Sequence, residues 1–167
     1  FTNSINSEAQ LQSIYDLNQA NTPEVGSLES LLHLKQLIDF SAYNLLVLKE
    51  DEIVGFIICI REGSAYGSEN YKFFSKRLKK FLYVDRVAID EQHRGLGLGQ
   101  AIYEDIFFQA RHDSLPIALE VNTHPVNQPS LNFHEKMGFD QIGPKYFTDH
   151  SVAYFIKSFM THIFSTF

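Results

Sequence analysis

The sequence predicts a mixed α/β domain, and three observations carry that reading. Segments with apolar residues at helical spacing alternate with short β-rich runs, a glycine-rich turn joins a strand to a helix mid-chain, and 167 residues suffice for one core. A chain of this size buries about 70% of its unfolded surface, so residues 1–167 are expected to form a single domain.

Residues 7–21 open on Ser7 and place Leu11, Ile14, Tyr15 and Leu17 at near-helical spacing before Thr22-Pro23, which predicts a first helix. Residues 27–40 repeat the pattern with Leu28, Leu31, Leu32, Leu34, Leu37 and Ile38 and predict a second. The β-rich runs 43–49 and 53–60, separated by Glu50-Asp51-Glu52, read as an antiparallel hairpin. Between 61 and 80 the pattern breaks. Gly63, Gly67, Ser68 and Asn70 lead there into YKFFSKRLKKF, a long loop with room for a short helix. A strand is expected over 81–89 and a helix over 98–111, where Leu98, Ala101, Ile102, Ile106 and Ala110 share one face. A short strand at 117–121 precedes a helix over 127–137, with Pro129 in its first turn and Gly138 at its stop. Strands at 139–142 and 152–159 flank the turn-rich Gly143-Pro144 segment.

Composition narrows the function classes. A net charge of −6 opposes nucleic-acid binding, which depends on neutralising phosphates. The longest apolar run lies within 53–60 and is broken by Gly55, short of the roughly 20 residues a membrane helix needs. The opening FTNSINSEAQ lacks the features of a secretory signal. Cys59 is the single cysteine, so no intrachain disulfide forms; its apolar strand marks it as a buried thiol, and a cytoplasmic location is expected. The 15 Phe and 8 Tyr suit a core or a pocket equally well.

The chemistry begins at VDRVAIDEQHRGLGLGQAI. Gly95, Gly97 and Gly99 lie between a strand and a helix, where several backbone N–H groups can converge without Cβ obstruction and the helix macrodipole favours an anion. A pyrophosphate fits such a cradle. A Walker loop would need Gly-Lys-Ser/Thr, but Gly99 is followed by Gln100 and Ala101. The dinucleotide fingerprint starting at Gly95 would need glycine at Gln100 and normally opens the first strand–helix unit.

Arg94-Gly-Leu-Gly97-Leu-Gly99 resembles the R/Q-x-x-G-x-G/A signature of the GNAT superfamily of acyl-CoA-dependent N-acetyltransferases, with Val87-Ala88-Ile89 as the strand before it. Downstream, LEVNTHPVNQPSLNFHEKMGF looks like the second hallmark, a strand followed by N-x-x-S/A-x-x-aromatic and Gly-Phe. The resemblance covers 81–159 closely and the first third in organisation only, with a first strand that is short or partly absent. The chain also looks similar to a bacterial branch of the superfamily, which supplies no substrate.

The resemblance implies a largely antiparallel, centrally splayed sheet flanked by helices, with acetyl-CoA as cosubstrate. It implies that the backbone of Val87 and Ile89, either side of Ala88, bonds the pantetheine arm. The amides of Gly95, Leu96, Gly97, Leu98, Gly99 and Gln100, behind Arg94, would hold the pyrophosphate. Asn127 would reach the pantetheine amides, with Ser130 and Phe133 as the other hallmark positions. Glu91 stands where the family often has proline, which matters little to the cradle.

Acetylating an amine needs the neutral amine, yet an alkylammonium of pKa about 10.4 is about 0.1% neutral at pH 7.4, a cost of about 4 kcal/mol. A base is therefore expected. Glu120, central in its apolar strand, is the first candidate, the alternative being a salt bridge to a residue such as Arg86. Asp85 is the second, with Arg86 beside it as an ion-pair partner. The family commonly protonates the leaving thiolate with a tyrosine, and here that position is His134, whose imidazolium is the expected acid unless it only packs. On the acceptor side Tyr66, Asn70, Tyr71, Phe73 and Phe74 either clamp the amine or anchor the core. The cluster Lys72, Lys76, Arg77, Lys79 and Lys80 either attracts an anion or is a solvated face. His33, His93, His112, His124, His150 and His162 lack ligand spacing, so no metal is expected. The implied partner is a small-molecule or peptide amine, with no nucleic acid and no membrane. A homodimer and a non-catalytic acyl-CoA sensor on the same fold both stay open.

Overall fold

The computed structural model describes residues 1–159. In α1 (Glu8–Ala20), the Ser7 hydroxyl accepts from the Gln10 amide, and Ile14 and Leu17 face inward. In α2 (Leu31–Phe40) the cap is Ser30, so the helix starts later than the leucine pattern suggests. Leu28 is buried all the same, on non-helical backbone, which is why periodicity overran the boundary.

The hairpin β1 (Tyr43–Lys49) and β2 (Glu52–Arg61) follows. After α3 (Glu69–Ser75) come β3 (Leu82–Ile89), α4 (Leu98–His112), β4 (Ile117–His124), α5 (Gln128–Lys136), β5 (Asp140–Tyr146) and β6 (Ser151–Lys157). Gly143 and Pro144 lie inside β5 rather than in a turn. That strand is an edge, where an irregular register and a proline without N–H are tolerated. The first strand implied by the family resemblance is a single antiparallel bridge from Thr2 to Leu46. No helix among the described residues is long and apolar enough to cross a membrane.

The six strands run in the order β1-β2-β3-β4-β6-β5, antiparallel except between β3 and β4. Alternation along the strands divides the core into two faces. Ile117, Leu119 and Val121 pack with Ile102, Ile106 and Ala110 of α4. Ala118 and Tyr83 pack on the other face with Ile14 of α1, Leu34 and Leu37 of α2, and Phe74 of α3.

Two irregularities make room for a site. β3 pairs with β4 only at Leu82–Ile117 and Tyr83–Ala118, after which the two run on without pairing to each other, held by β2 and β6 on their outer sides. Within β3, Ile58 of β2 pairs with Arg86 and Cys59 with Val84, so Asp85 is an extra residue, a β-bulge. The bulge shifts the alternation by one, so that Val87 and Ile89 return to the α4 face while Ala88 packs opposite.

Ile106 is fully buried between α4 and the sheet. Ile106→Ala is expected to lower unfolding free energy by about 2–5 kcal/mol, read from urea titration with an unchanged m-value.

Candidate active site

Where β3 and β4 part, a cleft of about 1220 Å³ opens. Its walls are β3, the glycine loop, β4, the start of α5 and the loop between α1 and α2, with Asp149 and His150 at one rim. Along the β3 wall, Val84 to Ile89 have no strand partner on the β4 side, so backbone polar groups face the opening.

The glycine loop forms one end. Gly95 and Gly97 have φ of +74° and +79°, conformations that a side chain would strain. Gly97 caps α4 without any side-chain bond. Among the described residues, no protein group accepts from the amides of residues 95–100, while the Ala101 amide already bonds the Gly97 carbonyl. Gly99 packs its backbone against Ile89 and Phe133, where a Cβ would meet their side chains at 3.5 and 3.6 Å. Free amides, open space and a helix start therefore coincide, as pyrophosphate binding requires. Asn127 uses its Oδ1 to accept from the Ser130 amide as the cap of α5, which leaves its Nδ2 group available. Arg94 turns away from the cradle, donating to Asn21 Oδ1 at 2.6 Å and so joining the cradle to the α1–α2 loop.

Glu120 reaches the cleft from β4. Its position shares parity with Ala118, so the side chain lies on the α1–α3 face. The Tyr83 hydroxyl donates to it, 2.9 and 2.8 Å from its two oxygens, and Asn70 Nδ2 donates to Oε1 at 3.1 Å. Among the described residues no cation is paired with it. Withdrawal from water, reinforced by the Asp85 charge and opposed by the bonds from Tyr83 and Asn70, pushes its carboxyl up to about 8.

Asp85 and Arg86 are both turned toward that same face by the bulge. Arg86 Nε donates to Asp85 Oδ2 at 2.8 Å, and the Tyr66 hydroxyl donates to Oδ1 at 2.6 Å. The other end of Arg86 donates to Asn18 Oδ1 at 2.9 Å and the Gly26 carbonyl at 3.1 Å, holding the α1–α2 loop over the cleft. Arg86 thus pairs with Asp85, not Glu120, and Asp85 has both oxygens engaged.

A model of the acetyltransferase (GNAT) family matches residues 11–139. The chain belongs to this family. Over 130 residues it is 28% identical to an N-alpha-acetyltransferase of Sulfurisphaera tokodaii, covering 75% of this chain and 72% of the relative. Its fold is similar to Arabidopsis thaliana Naa50 in complex with the bisubstrate analogue CoA-Ac-MVNAL, with a TM-score of 0.71, 18% identity and coverage of 95% and 98% of the two chains. It is also similar to ribosomal-protein-alanine N-acetyltransferase from Brucella melitensis, with a TM-score of 0.68, 18% identity and coverage of 95% and 100%.

The environment of His134 in this GNAT domain differs from the imidazolium expected of it. The ring is buried, its Nδ1 lies 2.8 Å from the Ser130 carbonyl, and its Nε2 lies 2.8 Å from the Tyr103 hydroxyl. A carbonyl only accepts, so Nδ1 carries the proton and Nε2 accepts from Tyr103. Burial holds the imidazole down to about 4, neutral near pH 7 and with no Nε2 proton to give.

The acceptor-side aromatics also need correction. Tyr71 and Phe74 are core residues: the Tyr71 hydroxyl donates to the Arg61 carbonyl at 2.6 Å, and Phe74 is fully buried. Tyr66 is taken up by Asp85, leaving Asn70 as the residue of that group on the cleft wall. Lys72 pairs with Glu69, and none of Lys72, Lys76, Arg77, Lys79 or Lys80 borders the cleft. His162 lies outside the described residues. Tyr83 and Tyr103 were missed in the sequence. The alternation of β3 carried a signal for Tyr83, which shares the Glu120 face, whereas Tyr103 is hidden in a helix face read as apolar.

Arg86→Met leaves the buried Asp85 carboxylate without its cation and is expected to cost about 3–5 kcal/mol of stability in denaturant titration. A second measurement concerns acid. The unfolded chain protonates the His134 imidazole near 6.5 and the folded chain near 4, so stability present above pH 6.5 is lost as pH falls toward 4. His134→Gln is expected to flatten that decline by roughly 3 kcal/mol, measured as unfolding free energy across the window.

Proposed function

We propose that the protein is an acetyl-CoA-dependent N-acetyltransferase whose acceptor is the α-amino group of a peptide or protein N-terminus. The observation that carries the reading is Glu120, a carboxyl of pKa about 8 with no paired cation among the described residues, in the cleft that the free amides of residues 95–100 close at one end. An ammonium acceptor must be deprotonated, and transfer is nearly balanced when base and acid have similar pKa values. An α-ammonium has a pKa of about 8, whereas a lysine side chain at about 10.4 would add roughly 3 kcal/mol. The N-alpha-acetyltransferase name of the relative supports the same class.

Acetyl-CoA supplies the activated acyl thioester. Residues 95–100 hold its pyrophosphate, and the unpaired edge of β3 at Val87 and Ile89 bonds the pantetheine arm with help from Asn127. The amine enters from the α1–α2 loop side. Glu120 takes one proton from the ammonium, and the nitrogen attacks the acyl carbon directly. The new C–N bond forms as the C–S bond breaks, and the electron pair leaves on sulfur. A second proton from the nitrogen ends on sulfur, so no imidazolium at His134 is needed, and Glu120 returns its proton to solvent.

Glu120→Gln is expected to reduce kcat/KM by about 10²–10⁴-fold against a peptide panel assayed by thiol release. In the unsubstituted protein, kcat/KM should rise with pH and level above about 8. Equal rates for Glu120→Gln at every pH would remove the base, and turnover of small amines in preference to peptide N-termini would remove the acceptor class.

A further inference from the structure

The short helix α3 (Glu69–Ser75) has two turns at most, so its place is set by what it packs on. Phe73 stacks on the Tyr154 ring of β6, with centroids 4.0 Å apart and planes 16° apart. The Arg77 guanidinium lies 3.7 Å from the Phe73 centroid, and Phe74 meets Tyr154 edge-on at 5.3 Å. These contacts fasten α3 to β6, while α3 also lies against β4, the strand that carries Glu120.

A polar link joins the same elements. The Tyr154 hydroxyl donates to Asn70 Oδ1 at 2.9 Å. A hydroxyl can donate or accept but an ionised carboxylate only accepts, so Glu120 draws Nδ2 to its Oε1, 3.1 Å away, and leaves Oδ1 to take the Tyr154 proton, which anchors the far end of the amide. Tyr154 and Glu120 are direct partners in the β4–β6 ladder, so both side chains rise from one face. Glu120 Oε2 is left with Tyr83 as its donor among the described residues.

We propose that Asn70 and Tyr154 are positioning residues for Glu120, Tyr154 anchoring the Asn70 amide and the amide holding one carboxylate oxygen so that the other serves the acceptor amine. The proposal rests on the reading of Glu120 as the base. The polar and charged groups facing Glu120 are Tyr83 and Asp85 of β3, the latter paired to Arg86 and Tyr66, together with Asn70 of α3 and Tyr154 of β6. A donor to the ionised carboxylate favours ionisation, so its loss moves the Glu120 titration toward higher pH.

The test is a carbon-13 NMR titration of the Glu120 carboxyl in the full chain labelled at glutamate, assigned with Glu120→Gln, alongside pH profiles of kcat/KM. Asn70→Ala is expected to raise the midpoint by about one pH unit. Tyr154→Phe, which keeps the ring stack and cannot itself touch the carboxylate, should raise it by a smaller amount through the freed amide. The acid limb of kcat/KM should move by the same amounts. Unchanged midpoints in both variants, with only a lower melting temperature, would overturn the proposal and leave α3 as packing. Full activity in Glu120→Gln would instead sink the base reading, and the NMR midpoints would still decide whether Asn70 and Tyr154 hold the carboxylate.

Discussion

Two parallel strands in the middle of the sheet pair for two residues and then part, and the remainder of the molecule is arranged around that separation. Backbone N–H and C=O groups inside a sheet ordinarily satisfy one another. Beyond Tyr83 and Ala118 the facing edges of β3 and β4 do not, so the centre of the sheet presents polar edges with apolar faces above and below. Such an edge accepts an extended amide-bearing chain as a missing strand would be accepted. The bulge at Asp85 belongs to the same design. By shifting the alternation one place, it points Val87 and Ile89 toward α4 while turning both Asp85 and Arg86 toward the opposite face.

That arrangement settles the electrostatics. Two carboxyls, Asp85 and Glu120, lie close together on one face. Arg86 meets Asp85 and not Glu120, and its remaining donors bind Asn18 and Gly26. Asp85 therefore keeps a countercharge, and among the described residues the donors to Glu120 are neutral, Tyr83 and Asn70. Neutral hydrogen bonds offset part of the loss of water but not the Asp85 field, so the carboxyl is held up at about 8.

How much of this could be read in the sequence follows from the range of each interaction. Local signals placed the elements well: Ser7 and Asn127 act as caps, and the glycine loop meets α4 at Leu98. The start of α2 was overrun because Leu28 continues an apolar pattern without continuing the helix. Glu120 stood out because a carboxylate inside an apolar strand demands a reason. His134 misled because its motif position says where it sits but not that its Nδ1 faces the Ser130 carbonyl and its Nε2 the Tyr103 hydroxyl. Tyr103 lies 31 residues away, and nothing local marks the pair. Tyr66, Tyr71, Phe73 and Phe74 were equally ambiguous, since an aromatic run looks the same whether it lines a pocket or fills a core.

The resolved ambiguity shows what the aromatic run is for. Tyr71 and Phe74 bury α3, while Phe73 and Arg77 form a stack on Tyr154. Asn70 is the member of the group left on the cleft wall, where its amide oxygen accepts from Tyr154 and its Nδ2 donates to Glu120. A side chain of that kind cannot be placed by hydrophobic burial alone, because burial is indifferent to a half-turn of an amide. The apolar contacts bring α3 to the right depth, the ionised carboxylate draws the N–H end of the amide, and the Tyr154 hydroxyl anchors the oxygen end. Packing and polarity thus act together on one residue, so the amide that donates to Glu120 stands on a seven-residue helix stacked on β6.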